Sequence, residues 1–360
     1  MAVTRPQKGL ALALGLGAQL AAAALLAPAT AQAPALATGL VLPGGQTAVA
    51  CLATGNCVVV GRDDERATGD VIVVADDKAS KPSVVAGTES YSAISCPSGV
   101  GCIALGGTNK ATDVVLSQTD IDGTVLGSNT MSVPNGVTYD GLSCYSVYLC
   151  RLIGTDRTGG TVVPEFGDYN RRAIIAKTFP LPEGYTQFSA AAISCYVATC
   201  ASAGTARVDE KSEGLVFVSV GDDLEQTTTF AGDVMVGASC VSTTLCYAAG
   251  NGAHGGFVVP INSGVVGAPY NAPAVKLSGL ACQPQVPATA PASCLAVGSE
   301  RQGPSTYGTL VSLMGSRVTP PSIVRASGGF TSVAAQPASP GFAALGPAAR
   351  GPGCEVTLVG

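Results

Sequence analysis

At 360 residues, 12% of them charged and 47% hydrophobic, the chain is too apolar to be disordered and long enough for two ordinary domains or one large one. A net charge of −5 offers no cationic surface of the kind nucleic acid requires, so nucleic-acid partners are excluded. The 46 Gly and 23 Pro, set among short Val-rich runs, argue for many short strands and tight turns rather than helices.

The chain opens with Arg5 and Lys8, an uncharged apolar run from Gly9 to Ala27, and a small-x-small site at Ala29-Thr30-Ala31. Residues 1–31 are expected to be a signal peptide cut before Gln32. Residues 32–360 would then be a single exported domain, secreted or held in the cell envelope. A retained anchor is the alternative, because the run is just long enough to span a bilayer. Its weak Ala/Gly hydrophobicity and the cleavage site favour removal. No later run is long enough to cross a membrane, so no span is expected after cleavage.

A unit then repeats along the rest of the chain. Ala48-Val-Ala-Cys51 leads to Cys57-Val-Val-Val-Gly61, and Ala93-Ile-Ser-Cys96 leads to Cys102-Ile-Ala-Leu-Gly106. Further copies close on Gly154, Gly204, Gly250 and Gly298, and a seventh copy, lacking both cysteines, closes on Gly346. The closing glycines step by 45, 48, 50, 46, 48 and 48 residues, a period that fits one four-stranded propeller blade.

Within the first unit, Thr47 to Leu52 and Cys57 to Gly61 are expected to form a hairpin. Gly69 to Ala75 follows as a third strand and Pro82 to Ala86 as a fourth. The second unit repeats this with Asp113 to Ser117, an Asp122-Gly123 turn and a strand from Thr124. In the fourth, Gly214 to Val220 and Thr227 to Phe230 flank a Gly221-Asp222-Asp223 turn. One such sheet cannot bury both faces, but a ring of them can. Stacked solenoid units would need capping ends and usually shorter repeats. The expected fold is therefore an all-β, seven-bladed β-propeller with four-stranded blades. Its last blade would be completed by an N-terminal strand at residues 36–43, beside the strand Cys354 to Val359. The residue before each first cysteine position is small (Ala50, Ser95, Ser143, Ser194, Ser239, Ala281, Ala334), as crowding near an axis would demand.

Thirteen cysteines in an exported chain invite pairing, and the repeat supplies the partners. The expected bonds are Cys51–Cys57, Cys96–Cys102, Cys144–Cys150, Cys195–Cys200, Cys240–Cys246 and Cys282–Cys294, each across a hairpin. Pairs spread around a ring cannot converge on a metal, and one histidine cannot complete a cluster, so neither metal nor cofactor is expected. Cys354 is left over and reads as an inert thiol buried in a strand, with intermolecular pairing or a reactive thiol as the alternative.

The pattern [AG]-[IVL]-[SA]-C-x5-C-x-A-[VL]-G resembles secreted bacterial propeller proteins of the sialidase-like and photosystem-assembly-factor-like type. The resemblance covers essentially residues 32–360 and implies the propeller fold. It departs from sialidases where their activity lies. There is no S-x-D-x-G-x-x-W box, no Trp, and no assignable Arg triad with a Tyr–Glu pair.

Catalytic signals are sparse. His254, in Asn251-Gly-Ala-His-Gly-Gly256, is the single histidine and has no G-x-S-x-G elbow to serve, so it reads as a loop residue. Asp63-Asp64, Asp76-Asp77 and Asp222-Asp223 read as solvated turns rather than a carboxylate dyad. The loop after each closing glycine carries Arg62, Lys110, Arg157, Arg207, His254, Arg301 or Arg350. On one face of a propeller these would ring the channel mouth and hold a carboxylate, phosphate or acidic partner. The expected function is a monomeric, non-catalytic extracellular binding or scaffolding protein. Its partner would be a protein, glycan or small anion at the channel mouth. The alternative is a glycan- or lactone-acting hydrolase or lyase using carboxylates from several blades.

Overall fold

The computed structural model describes residues 39–97, 101–110, 113–120, 122–133, 137–147, 149–155, 161–168, 173–176, 179–221, 223–273, 275–283, 291–325, 327–337, 340–348 and 353–360. The predicted signal peptide, Arg157 and Arg350 lie outside these residues. All regular structure among them is β, and no helix is long and apolar enough to cross a membrane.

Every sheet built from one continuous run of chain is an antiparallel up-and-down ribbon in sequence order. In blade 1, Gly45–Cys51 pairs with Cys57–Asp63, which pairs with Thr68–Ala75. Val49 and Val59 stand opposite each other at the centre of that hairpin, both buried. Burial on both faces explains why these strands read as continuous Val/Ile/Ala runs rather than as alternating patterns. The Asp76-Asp77 pair sits at φ of 49° and 58° beyond the closing pair Ala75↔Lys78, a two-residue hairpin loop with both central residues left-handed. The turn reading of that pair therefore holds.

The expectation of seven blades is corrected to six, while the four-stranded blade pattern holds, with an outer strand that is split in four of them. Six blades are each built from one continuous run of chain and carry a disulfide, with inner strands Gly45–Cys51, Ser90–Ser95, Thr138–Ser146, Thr186–Tyr196, Val234–Cys240 and Lys276–Gln283. The remaining sheet is a composite of both chain regions: Ser332–Ala335, Phe342–Pro347 and Cys354–Val359, then Leu40–Leu42 at its edge. Leu40 faces Val356 and Leu42 faces Cys354, so the N-terminal strand does complete this sheet. Blades 1, 3, 5 and 6 are five-stranded, because the outer strand breaks into two short pieces. Pro82, Pro269 and the Pro320-Pro321 pair fall in or beside the breaks of blades 1, 5 and 6, where a missing N–H ends the ladder. At two breaks a side chain takes over. Ser80 Oγ accepts from Val73 N–H at 3.0 Å, and Thr319 Oγ1 from Ser312 N–H at 3.2 Å.

The core lies between sheets rather than at the centre of the molecule. A cluster of buried apolar side chains fills each interface, as with Leu116, Met131, Leu142 and Leu152 between blades 2 and 3. Leu42, Ile72, Val74 and Val356 do the same between the composite sheet and blade 1. All six expected disulfides are present across their inner hairpins, with Cα–Cα separations of 3.9 to 4.1 Å. Cys354 is a free, buried thiol. It bridges the composite sheet to blade 1, since Gln46 N–H donates to its Sγ at 3.3 Å and the thiol faces Gln46 O at 3.5 Å.

Candidate functional site: the central channel

The inner strands build the channel through one repeated irregularity. In all six continuous blades the ladder slips by one residue, leaving Thr47, Ser92, Asp140, Ala191, Val236 and Ser278 unpaired. A bulge of this kind re-aims the extra side chain and bends the strand. Thr331 takes the same place ahead of the composite sheet's inner strand. The closing glycines exist because of this bend. A Cβ on Gly154 would lie 2.0 Å from Thr138 O, and one on Gly298 would lie 2.1 Å from Lys276 O. The repeat's terminal glycine is therefore a close approach of backbone to backbone, not a turn.

The channel section so formed has a volume of about 240 Å³. Its wall is the bulge residue and the two that follow it from each inner strand. Apolar Ile94, Leu142, Ile193, Leu280 and Val333 alternate there with small residues and hydroxyls. One lining residue is charged: Asp140. Its carboxyl is open to the channel water but walled by protein, and the resulting desolvation raises its pKa above the usual carboxylate value. Among the described residues, no hydrogen bond or ion pair engages that carboxyl.

The hydroxyls around the axis have structural work. Ser95 Oγ accepts from Cys144 N–H, Ser143 Oγ from Cys195 N–H, Ser194 Oγ from Cys240 N–H and Ser239 Oγ from Cys282 N–H, all at 2.9 Å. Each bond crosses from one blade to the next. The other three interfaces place Ala50, Ala281 and Ala334 in that column and use hydroxyls nearer the bulge. Thr47 donates to Tyr91 O at 2.6 Å, Ser278 donates to Phe330 O, and Ser332 accepts from Val49 N–H at 3.4 Å. Every inter-sheet seam thus carries one of these hydroxyl bridges. The seam from blade 3 to blade 4 is served by Ser143, which leaves Asp140 without a bridging task.

The predicted cations stand elsewhere. Arg62, Lys110, Arg207, His254 and Arg301 are all exposed at the end of the blades where second and third strands meet, beside the bulges. None of them lines the channel. Arg207 is held outward by Gln187 Oε1 at 3.3 Å and Glu210 O at 3.4 Å. His254 edges a separate cavity of about 160 Å³ between Phe230, Phe257 and Asp233. Asp63 accepts from the backbone N–H groups of Glu65 and Arg66 and pairs with the Arg66 guanidinium at 3.4 Å, which is turn chemistry.

Two further features escaped the sequence reading. On the opposite, disulfide-bearing face, Tyr145, Leu149, Val197 and the buried Arg151 line a groove of about 340 Å³ between blades 3 and 4. Beneath the ring closure, Gln46 Nε2 donates to both Asp70 oxygens at 3.1 and 3.3 Å, and burial raises the Asp70 pKa. Asp140 itself could have been found, because it is the one carboxylate in the column Thr47, Ser92, Asp140, Ala191, Val236, Ser278, Thr331.

No protein-family model and no curated protein sequence matches the chain. Among solved structures it is similar to the Dos1 propeller, at 10% identity and a TM-score of 0.54, covering 91% of this chain and 95% of that one. The Cps50 (Swd1) β-propeller domain from Myceliophteria thermophila gives 12% identity and a TM-score of 0.55, covering 90% and 99% of the respective chains. Hydrazine synthase from Kuenenia stuttgartiensis gives 10% and 0.52, covering 72% and 73%. At such identities the likeness is one of fold, the β-propeller, and it leaves function to the site.

Proposed function

We propose that this is an exported binding propeller whose ligand enters the central channel from the face where second and third strands meet. The observation that carries the reading is the channel wall itself: a closed ring of small, hydroxyl and apolar residues around a single carboxylate. A two-carboxylate glycosidase would need two carboxyl groups flanking one bond, and the channel wall supplies one among the described residues. Six disulfides fit an oxidising compartment, which supports export through residues 1–31 and a single domain at 32–360.

The loop cations belong to this reading as an outer rim. Arg62, Lys110, Arg207 and Arg301 would steer an acidic partner to that face, though Asp63, Asp64, Asp209, Glu210 and Glu300 lie among them. A small anion inside the channel is disfavoured, because it would meet Asp140. The test is a small-molecule binding screen by calorimetry on the wild type and on Ala191→Phe, which fills the channel. Ligands that bind the wild type and are lost in Ala191→Phe support the reading. Ligands that bind both equally overturn it.

A further inference from the structure

We propose that the channel ligand is a small aliphatic ammonium compound and that Asp140 is the residue that selects it. This rests on the channel-binding reading above and adds the chemistry of the ligand.

The first argument is charge. Asp140 is the sole charged residue among those that line the cavity. A carboxylate ringed by channel walls attracts a cation more strongly than one on an open convex surface, because less water screens it. The second is freedom. Thr47, Ser278 and Ser332 spend their hydroxyls on neighbouring sheets, and so do the four serines ahead of the first cysteines. Asp140 bridges nothing, and its seam is already bridged by Ser143. A carboxyl that faces a cavity, carries no structural bond and has a pKa raised by its surroundings is a functional-site candidate.

The third argument chooses between cations. Calcium takes six to eight oxygen ligands and magnesium demands a near-ideal octahedron. One carboxylate beside Leu142, Ile193 and Leu280 meets neither requirement. An alkylammonium fits both parts of the wall, with its charged head on Asp140 and its stem against those apolar side chains. A volume of about 240 Å³ sets the scale at a short-chain molecule rather than a polymer. The bulge residues beside Asp140 suit such a guest: Ser92 on blade 2 offers a hydroxyl oxygen, and Ala191 on blade 4 leaves room.

The experiment is isothermal calorimetry at pH 7 with n-butylamine, n-butanol, butyrate and calcium chloride. It uses the wild type, Asp140→Asn and Ala191→Phe. Asn keeps the shape and removes the charge, and stability curves confirm that each variant folds. The expected result is binding of butylamine to the wild type, weakened about tenfold or more in Asp140→Asn and abolished in Ala191→Phe. Butyrate and calcium should not bind. In the wild type the amine's affinity should fall as pH drops through the Asp140 titration. Butylamine binding indifferent to Asp140→Asn overturns the proposal, as does butyrate or calcium binding as well as the amine. If butanol or butyrate binds and is lost only in Ala191→Phe, the ammonium proposal fails while the channel-binding reading stands. If no probe binds, both fail.

Discussion

Replacing Ser239 by Ala tests whether the serine before each first cysteine is a bridge or merely a small residue. Ser239 is buried, and its Oγ accepts the Cys282 N–H of the next blade at 2.9 Å. The innermost strand of a propeller blade has no further strand to pair its inward N–H groups, so this donor depends on the hydroxyl. Alanine already occupies the same column at Ala50, Ala281 and Ala334, all buried, so the substitution brings no steric conflict. What is lost is one acceptor, and a buried donor left unsatisfied costs about 1–3 kcal/mol. Water at the channel edge offsets part of that, giving an expected loss of about 1–2 kcal/mol. With an unfolding entropy near 2.1 cal/mol/K per residue, a chain of this size should lose about 2 °C in Tm. Urea denaturation and calorimetry measure the loss, and hydrogen exchange should show the Cys282 amide specifically deprotected. If stability stays within about 0.3 kcal/mol and that amide exchanges as before, the bridge reading is wrong and the column is only small.

Other substitutions test the bulge, the ring closure and three carboxyl groups with raised pKa values. Gly298→Ala would place a Cβ 2.1 Å from Lys276 O, and should cost several times more in urea-melt stability than Gly107→Ala, where nothing lies within 4 Å. Leu42 is fully buried in the closing strand, so Leu42→Ala should cost about 2–5 kcal/mol by the same melt and raise exchange in Cys354–Val359 first. Asp70, Asp140 and Glu355 all have pKa values raised by desolvation. Each therefore holds its proton more tightly folded than unfolded, so its contribution is complete below the unfolded pKa and is lost as pH rises through the folded one. Tm should fall as pH rises above the unfolded carboxylate value of about 4. Asp140→Asn should flatten that slope and raise Tm at pH 7. A wild-type Tm that climbs over this range would refute the assignment.

Much of the fold was legible because a repeat turns single residues into columns. The alternation of cysteine pairs gave all six disulfides, and the spare strand at each end gave the pairing of Leu40–Leu42 with Cys354–Val359. The outer strands were harder. Whether a short edge strand runs unbroken depends on where a proline or a side-chain acceptor interrupts it, as Ser80 and Thr319 do. The channel site was missed for a physical reason. A strand's alternation assigns faces with period two, and a bulge resets that count by one. Asp140 follows the buried Tyr139, and the register slip between Tyr139 and Gly141 leaves it unpaired at the channel wall.

The same bulge decides which side chains the ring can spare. A hydroxyl at either of two heights, beside the bulge or beside the disulfide, is enough to bridge a seam, and each seam uses one of these bridges. Where the bridge sits low, at Ser95, Ser143, Ser194 and Ser239, the bulge position above it is released: beside Ser92 it holds Asp140, Ala191 and Val236. Those three are consecutive around the ring, so the wall there is a carboxylate followed by two side chains that donate nothing. The opposite arc, at Ser278, Ser332 and Thr47, keeps its hydroxyls engaged with neighbouring backbone. Structural duty is thus concentrated on one side of the channel and chemical freedom on the other. A ligand bound at Asp140 would lie against the free arc, and substitutions at Ala191 and Val236 should tune its fit without loosening any seam.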